Sequence, residues 1–514
     1  MDNRYKVDNR DNKDKLDNMG NMGKGYNIKS FKDYKRIERD KLNVDGTFIG
    51  IGVTAFMRFF PSVFLKDYVI YAYKDSTDNP LIEEHARVFS LKKKWPKLKL
   101  RFTNTNNLLL SKTIRNDIKK IVGEKYLFVY KMNNNIAQAI DGLGISNIIA
   151  VSPKLNKMFE NKASFRKILE KIKIPPIKGL SITFKQFQKL SFEKISDKVG
   201  FPFVIQMPDF LLGGGKGTVF IHSKEDFIEF QQKTETGRYK SKDLTRIIIT
   251  KFIVGDSCSV VCSTTKYGTF VSPINYQIMD IPEVIQTHKG SGLFVGHVFG
   301  RNYGSSLQKQ AHDLGVKIGN YMYKQGFKGI FGIDIMVDQK NKKVYPVEVN
   351  ARYTGAFPMI SMLQRDNNII PLDFFHFLEN LNIPYKVDYK KIETLYKKNI
   401  GGSHIVFSNH QPRKIFAIRK TQAGLYEWKP TQNKAVFIKP TLLYTEIKND
   451  NQFIICDGTP KKGDEVKRYS SVARVSHLLF SADIIDANGQ LKNKYKDLVH
   501  YLYKHIFGSR YKTS

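Results

Sequence analysis

The most constraining feature of this 514-residue chain is a strictly alternating run, V-Y-P-V-E-V-N-A-R, over residues 344–352. Glu348, Asn350 and Arg352 occupy every second position, and apolar residues separate them. Because strand side chains alternate between faces, the three polar groups share one side while the apolar residues pack on the other. The run therefore predicts a strand that carries two oxygen donors and a guanidinium on one face.

A second alternating run precedes it, G-I-F-G-I-D-I-M-V-D around Asp334, with a polar stretch between the two. A hairpin turn centred near Asn341 makes Asp334 face Glu348, with Cβ atoms about 4.5–5.5 Å apart. Two carboxylates and an amide this close are costly without a cation, and such oxygen ligands suit Mg²⁺ with phosphates completing the shell. The alternative is a solvated polar strand face.

A glycine loop forms the next strong feature. Two strand-like runs flank six consecutive residues, Gly213, Gly214, Gly215, Lys216, Gly217 and Thr218. A Walker loop needs G-x-x-x-x-G-K-[ST] between a strand and a helix, whereas here glycine follows the lysine and a strand follows the loop. This excludes a P-loop. A glycine hairpin can instead fold its backbone N–H groups over a polyphosphate, with Lys216 adding charge. The alternative is an ordinary tight turn with a solvated lysine.

Together these motifs resemble the ATP-grasp superfamily, in the arrangement of biotin carboxylase and the carboxylate–amine ligases. The resemblance covers about Phe48 to Gln364. It implies that Asp334, Glu348 and Asn350 hold one or two Mg²⁺ ions, with Mn²⁺ as an alternative, that bridge the phosphates of ATP. The same resemblance implies that Arg352 steadies the acyl-phosphate intermediate or the transferring phosphoryl group.

Further positions follow from the resemblance alone. Lys162, thirteen residues before Pro175, matches a lysine that contacts ATP phosphate in relatives. Its alternative is a helix-start lysine in water. Lys251, Phe252 and Ile253 match the hinge whose backbone holds adenine, and their alternative is a buried edge strand.

The sequence departs from the family pattern at two positions. Gln206 stands where a phosphate-binding lysine is usual, as it does in some ligase subgroups, so Lys216 would replace the lost cation. Thr250 stands where a glutamate often binds the ribose. Neither change removes a metal ligand, and an active enzyme remains the prediction.

The chain divides into four predicted segments. Residues 1–46 are rich in Asp, Asn and Lys and are predicted to be disordered. Strands and helices alternate in residues 47–151, which predicts an open α/β layer preceding the ATP-grasp domain. The fold class is thus α/β, with α+β character in residues 152–370, where two ATP-grasp subdomains enclose a Mg-ATP cleft. Residues 371–514 are predicted to form a β-rich region that closes on a helix near Tyr495 to Ile506.

The net charge indicates which partners are expected, and the cysteine content indicates the cellular compartment. A net charge of +36 would attract nucleotides, acidic polymers or nucleic acid. No zinc-finger spacing or RNP-like aromatic string is present, so a general Lys/Asn/Ile bias is favoured over a nucleic-acid partner. Cys258, Cys262 and Cys456 are too few for a disulfide scaffold, which favours a reducing cytosol. The charged N-terminus lacks an apolar signal region, and a cytoplasmic, non-membrane protein is predicted.

The predicted reaction joins a small-molecule carboxylate to an amine through an acyl phosphate, with release of ADP and phosphate. Arg352 and Lys216 are the predicted catalytic residues. His288 and His297 are weak candidates for a base, and residues 354–357 are candidates for the carboxylate pocket. The alternatives are a phosphotransferase on the same scaffold, or a non-enzymatic nucleotide- or nucleic-acid-binding protein with a weakened ATP site. The substrates and the oligomeric state are not predicted.

Overall fold

The computed structural model describes most of the chain, namely residues 25–98, 104–208, 217–240, 242–285, 292–411, 413–467 and 474–508. The predicted loop residues Gly213, Gly214, Gly215 and Lys216 lie outside these ranges, as does His288. Within the ranges, no helix is both long and apolar enough to cross a membrane.

The N-terminal region is an open parallel sheet with helices on its faces. Among the described residues its sheet has the order β4-β3-β2-β5-β6, and every pair is parallel. All six residues of the central strand β2 are buried, as expected where helices cover both faces. The predicted open α/β layer is confirmed. The elements are β1 (Tyr26–Ile28), α1 (Phe31–Asp40), β2 (Thr47–Gly52), α2 (Phe56–Phe59), a 3₁₀ turn (Phe60–Val63), β3 (Tyr68–Ala72), α3 (Asn79–Glu83), β4 (Arg87–Ser90), α4 (Leu91–Lys94), α5 (Thr105–Leu109), α6 (Lys112–Lys120), β5 (Lys125–Phe128), α7 (Asn134–Ala139) and β6 (Asn147–Ile149).

The central region contains a small antiparallel sheet and half of a large one. Its elements are α8 (Pro153–Glu160), α9 (Lys162–Lys171), β7 (Gly179–Thr183), α10 (Phe184–Phe187), α11 (Phe192–Val199), β8 (Phe203–Gln206), β9 (Thr218–Ile221), α12 (Lys224–Lys233), β10 (Arg238–Tyr239), β11 (Lys242–Asp243), β12 (Arg246–Lys251), β13 (Asp256–Thr265), β14 (Gly268–Val271), β15 (Asn275–Met279), β16 (Phe294–Phe299), α13 (Gly304–Lys324), β17 (Gly329–Asp338), β18 (Lys343–Asn350), α14 (Met359–Asp366) and α15 (Leu372–Asn380). The small sheet has the strand order β7-β12-β8-β9.

The C-terminal region adds mainly strands. Its elements are β19 (Tyr385–Val387), α16 (Tyr389–Leu395), β20 (Gly402–Ser408), β21 (Ile415–Phe416), β22 (Gly424–Lys429), a 3₁₀ turn (Pro430–Gln432), β23 (Lys434–Lys439), a 3₁₀ turn (Tyr444–Glu446), β24 (Gln452–Cys456), β25 (Glu465–Val466), β26 (Arg474–Phe480) and α17 (Asn493–Phe507). Among the described strands, eleven form one sheet with the path β18-β17-β13-β15-β16-β20-β26-β24-β22-β23, and β14 pairs with β13. The central and C-terminal regions therefore share a sheet.

The hairpin β17–β18 has the predicted register. Asp334 pairs with Glu348, and Gly332 pairs with Asn350. A β-bulge lies between Asp334 and Ile335, directly beside the acidic pair. Bulges bend a strand and re-aim side chains, so this one contributes to the local orientation of Asp334.

The prediction of disorder for residues 1–46 is wrong for residues 25–46. Strand β1 pairs in parallel with β19, and helix α1 buries Tyr34 and Ile37 completely or nearly so. The Arg365 guanidinium donates to both carboxylate oxygens of Glu38, at 2.9 and 2.7 Å. The apolar residues in this charged segment suffice to dock it on the body of the protein.

Candidate functional site

Two of the cavities that the described residues form meet at the β17–β18 hairpin. The first cavity, of about 240 Å³, lies between the small sheet and this hairpin. Its walls include the predicted residues Lys162, Gln206, Thr218, Lys251, Phe252 and Ile253. Strand edges and apolar side chains make up most of this wall. Thr250 also borders it, at the position where the sequence lacks the usual glutamate.

The second cavity, of about 280 Å³, lies on the other side of the acidic pair. Ser259, His297, Asn350 and Arg352 border it, with Thr354 and Gly355 beyond them. Five residues line both cavities: Gln277, Met279, Gly292, Asp334 and Glu348. A group bound in one cavity can therefore reach a group bound in the other beside the two carboxylates.

Asp334 is held from two directions. Gln277 Nε2 donates to its Oδ1 at 3.0 Å, and Asn350 Nδ2 donates to its Oδ2 at 3.1 Å. Burial raises the pKa of the Asp334 carboxyl, although Lys162 and these hydrogen bonds oppose the increase. The carboxylate is fixed in place yet poorly compensated, as expected for a group that binds a cation.

Lys162 joins the site from the other side. Its ammonium forms an ion pair with Glu348. Burial lowers the pKa of Lys162 to about 8, while Asp334 and Glu160 oppose the change. Asn161 explains the position of this lysine, because it ends helix α8 and caps helix α9 by accepting a hydrogen bond from the Ser164 N–H.

Arg352 is already anchored within the protein. Its Nε lies 3.0 Å from Glu160 Oε1, and its Nη2 donates to Asn350 Oδ1 at 2.7 Å. Its Nη1 donates to the Tyr353 carbonyl at 3.2 Å. Two of the five guanidinium N–H donors make hydrogen bonds and the ion pair with Glu160 anchors the group, which leaves N–H donors for a ligand in the second cavity.

Several site residues were missed from the sequence. Glu160 binds Arg352 and also forms an ion pair with Lys131, at the end of the parallel sheet. Asn156 Nδ2 donates to both Glu160 Oε1 and the Ala351 carbonyl, at 3.1 and 3.0 Å. A usable signal existed for Glu160, because it lies two residues before the predicted Lys162 at a helix junction. No local pattern distinguishes Asn156 or Lys131.

Other predicted positions divide between the cavity and the core. Thr354 and Gly355 border the second cavity, whereas Ala356 and Phe357 are buried in the core. Gly217 extends the β8–β9 hairpin, since its carbonyl accepts a hydrogen bond from the Met207 N–H at 2.8 Å.

The donor set fits Mg²⁺. Asp334 and Glu348 offer carboxylate oxygens from facing positions, and Asn350 adds an amide oxygen. That amide oxygen also accepts from Arg352. Among the described residues, no cluster of three or more His, Cys, Asp or Glu side chains offers another metal site. The predicted ligands therefore lie together, with phosphate and water needed to complete a coordination shell.

The fold and the site define a class. Residues 160–356 match the family model of the ATP-grasp domain, a range that begins at Glu160 and ends four residues after Arg352. Over these residues, the predicted resemblance to the ATP-grasp superfamily is confirmed.

Solved structures show the same fold. The biotin carboxylase domain of 2-oxoglutarate carboxylase from Hydrogenobacter thermophilus, solved with MgADP, ADP and bicarbonate, superimposes with a TM-score of 0.56. It is 12% identical, and the match covers 86% of this chain and 87% of that one. Biotin carboxylase from Campylobacter jejuni gives a TM-score of 0.54 at 13% identity, over 85% of this chain and 88% of that one.

A curated relative shares sequence over a shorter stretch. The large chain of carbamoyl phosphate synthase from Clostridium acetobutylicum is 22% identical over 279 residues, which is 54% of this chain. The match spans about a quarter (24%) of that protein.

Proposed function

We propose that this protein is an ATP-dependent carboxylate–amine ligase that works through an acyl phosphate. The observation that carries the proposal is the position of Asp334 and Glu348 in the wall that the two cavities share. A phosphoryl group in transfer between two substrates needs charge compensation at the point where the substrates meet. The match of residues 160–356 to the ATP-grasp domain supports the same proposed function.

ATP occupies the first cavity in this proposal. Its adenine lies against the segment of Lys251, Phe252 and Ile253, and its phosphates extend toward Lys162. Asp334, Glu348 and Asn350 would hold Mg²⁺, or Mn²⁺ in its place. The ion would neutralise charge on the phosphate oxygens.

The wall of the first cavity includes a positively charged side chain, Arg166, that was not predicted from the sequence. Arg166 lies four residues after Lys162 on helix α9 and borders the same cavity. Its Nη1 donates to the Ile177 carbonyl at 2.9 Å, which orients the guanidinium. Arg166 therefore offers a positive charge near a site where neutral Gln206 replaces the usual lysine, and it supplements the proposed role of Lys216.

The second cavity holds the carboxylate and the amine. In the first step a carboxylate oxygen attacks the γ-phosphorus of ATP, the bond to the β-phosphate oxygen breaks, and ADP leaves. In the second step the amine nitrogen attacks the acyl carbon, phosphate leaves with the C–O bond electrons, and the nitrogen loses a proton. Arg352, anchored by Glu160, stabilises negative charge at the acyl phosphate.

The proposal is tested by measuring ADP release with ATP, Mg²⁺ and a panel of amino acids, dipeptides and bicarbonate. We expect ADP formation that requires both a carboxylate and an amine, with stoichiometric phosphate. AMP and pyrophosphate as products would reject the acyl-phosphate route in favour of adenylation.

Two other outcomes correspond to the alternative functions. ADP formation with a stable phosphorylated product and no requirement for an amine would identify a phosphotransferase. Salt-sensitive binding of RNA or DNA without any nucleotide turnover would identify a non-enzymatic protein that uses its basic charge. Parallel measurements with the same preparation separate these results.

A further inference from the structure

Three histidines and an aspartate form a buried polar row that leads away from the second cavity. His297, His404 and His477 lie on the neighbouring strands β16, β20 and β26, and Asp457 directly follows β24. Each of the four is at most 3% exposed. We call this set the histidine row. The proposed ligase steps assign no role to it.

Direct contacts link most of the row. His297 Nδ1 lies 3.0 Å from His404 Nε2. The rings of His404 and His477 have centroids 5.3 Å apart. His477 Nδ1 lies 2.6 Å from Asp457 Oδ2, and Arg474 Nη1 lies 2.8 Å from the same oxygen. The row is therefore anchored at one end by an ion pair and open at the other to the second cavity.

The hydrogen bond between His297 and His404 needs one donor and one acceptor, and burial indicates which is which. His404 Nδ1 is buried and has no hydrogen-bond partner among the described residues. An unpaired buried N–H is rarer in native proteins than an unpaired acceptor. Nδ1 of His404 therefore carries the lone pair, and its proton lies on Nε2. His404 then donates to Nδ1 of His297.

This tautomer fixes the chemistry that His297 presents. A neutral imidazole that accepts at Nδ1 carries its proton on Nε2. His297 borders the second cavity, so Nε2–H is the group available to a ligand there. Burial lowers the pKa of His297 to about 3, and the coulombic effect of His477 is a smaller cause in the same direction. Burial also holds the pKa of His404 well below its ordinary value.

Asp334, Glu348 and Arg352 border the same cavity as His297. Among the described residues, however, the groups in contact with the His297 ring are uncharged. Gln277 on β15 is paired with it in register, Phe294 and Phe299 on its own strand lie against its ring, and His404 faces it from β20. All of these groups are neutral at neutral pH. The carboxylate of Asp457 is separated from His297 by two further rings.

We propose that His297 is a neutral hydrogen-bond donor to the carboxylate substrate in the second cavity, and that His404 is the positioning residue that fixes its tautomer. This rests on the proposed function. A carboxylate oxygen can accept from Nε2–H, whereas an ammonium group has only donors and would face this N–H unfavourably. His297 and the free N–H groups of Arg352 thus favour an oxyanion over an amine at this end of the cavity.

The tautomer can be measured without any turnover. In protein labelled with ¹⁵N-histidine, a long-range ¹H–¹⁵N correlation spectrum separates protonated from unprotonated ring nitrogens, and His297→Gln assigns the signal by its loss. We expect His297 to show a protonated Nε2 and an unprotonated Nδ1 throughout pH 5 to 8. A protonated Nδ1, or titration of the His297 signals within that range, would overturn the proposal.

Acetate serves as the carboxylate probe in a second measurement. Adding it to the wild type in the presence of MgADP should shift the His297 Nε2–H signal in a saturable way, and His404→Leu should abolish the single tautomer. His85→Gln, at an exposed histidine, is the matched control and should change neither result. An unmoved His297 signal at saturating acetate would also refute the proposal. These outcomes are distinct from failure of the ligase proposal, which is read from ADP release.

Discussion

A line of polar residues crosses the large sheet from Asp334 on β17 to Asp457 after β24, and its two ends use charge in opposite ways. At the β17–β18 end, Asp334 and Glu348 are half-buried, border two cavities and are opposed by Lys162. At the β24–β26 end, Asp457 is fully buried and bonded to His477 and Arg474. The first end leaves its carboxylates open to ligands, whereas the second satisfies its carboxylate within the protein.

This difference indicates separate roles for similar residues. Burial raises the pKa of Asp334. Burial alone would do the same at Asp457, but Arg474, His477 and Thr54 outweigh it and hold that pKa well below the ordinary range. When the charged form of a carboxylate is disfavoured, a bound cation compensates that charge and is therefore bound favourably. When the charged form is favoured by contacts within the protein, the carboxylate stabilises the fold. Gln277 lies between the two ends on β15.

The largest expected effect is at the acidic end. Asp334→Asn should lower the rate of ADP formation by roughly 10²–10³-fold, because one ligand that neutralises the phosphates is lost. Its unfolding free energy should not fall, since a poorly solvated charge is removed. Asp338→Asn, at the turn of the same hairpin, is the control and should keep near wild-type turnover. Equal rates for Asp334→Asn and wild type would remove the metal assignment.

At the β24–β26 end, a substitution of the carboxylate should lower stability. Asp457→Asn should lower the unfolding free energy by about 3 kcal/mol, at the low end for a broken buried ion pair because Arg474 reaches solvent. The stabilisation by a depressed pKa is present above the ordinary Asp pKa of about 4 and is lost as the pH falls below it. The difference between wild type and variant in urea unfolding should therefore shrink below pH 4. A constant difference down to pH 3 would contradict this role of the charge.

Sequence reasoning succeeded where the determining contacts are local. The pairing of Asp334 with Glu348 follows from a period of two and a short turn, both of which are visible in the sequence. It failed where the contacts are distant. His297 and His404 are separated by 107 residues and meet only because β16 and β20 are neighbours in the sheet. No local pattern in the chain encodes that neighbourhood.

The N-terminal segment shows a different kind of failure. Phe31, Tyr34 and Ile37 recur at helical spacing, and the last two are buried in the structure. The high charge of residues 1–46 outweighed this short apolar pattern in the prediction. Composition describes the average of a segment, whereas docking depends on a few residues with the right period. Glu160 is a further case in which local sequence is not enough. It reaches Arg352 because helices α8 and α9 pack on β18.

A smaller effect on ligand binding is expected at Lys162. Lys162→Met should weaken ATP binding by about 1.5–3 kcal/mol, or roughly 10–150-fold, through loss of a charge-assisted hydrogen bond to phosphate. Lys167→Met, on the exposed side of the same helix, is the matched control and should bind ATP like the wild type. Isothermal titration calorimetry with MgATP measures both. Comparable losses in the two variants would mean that overall charge, rather than this position, governs affinity.

The smallest effect is expected between the two ends. Ser257 Oγ donates to Gln277 Oε1 at 2.7 Å, and this amide in turn donates to Asp334. Ser257→Ala should leave Gln277 less restrained and reduce ADP formation by roughly two- to tenfold, as expected for one hydrogen bond of about 0.5–1.5 kcal/mol. Ser305→Ala, at an exposed position in helix α13, should have no effect. If Ser257→Ala also alters the His297 tautomer signals, the two ends are coupled through Gln277. Unchanged signals with reduced turnover would show that Gln277 serves the acidic end alone.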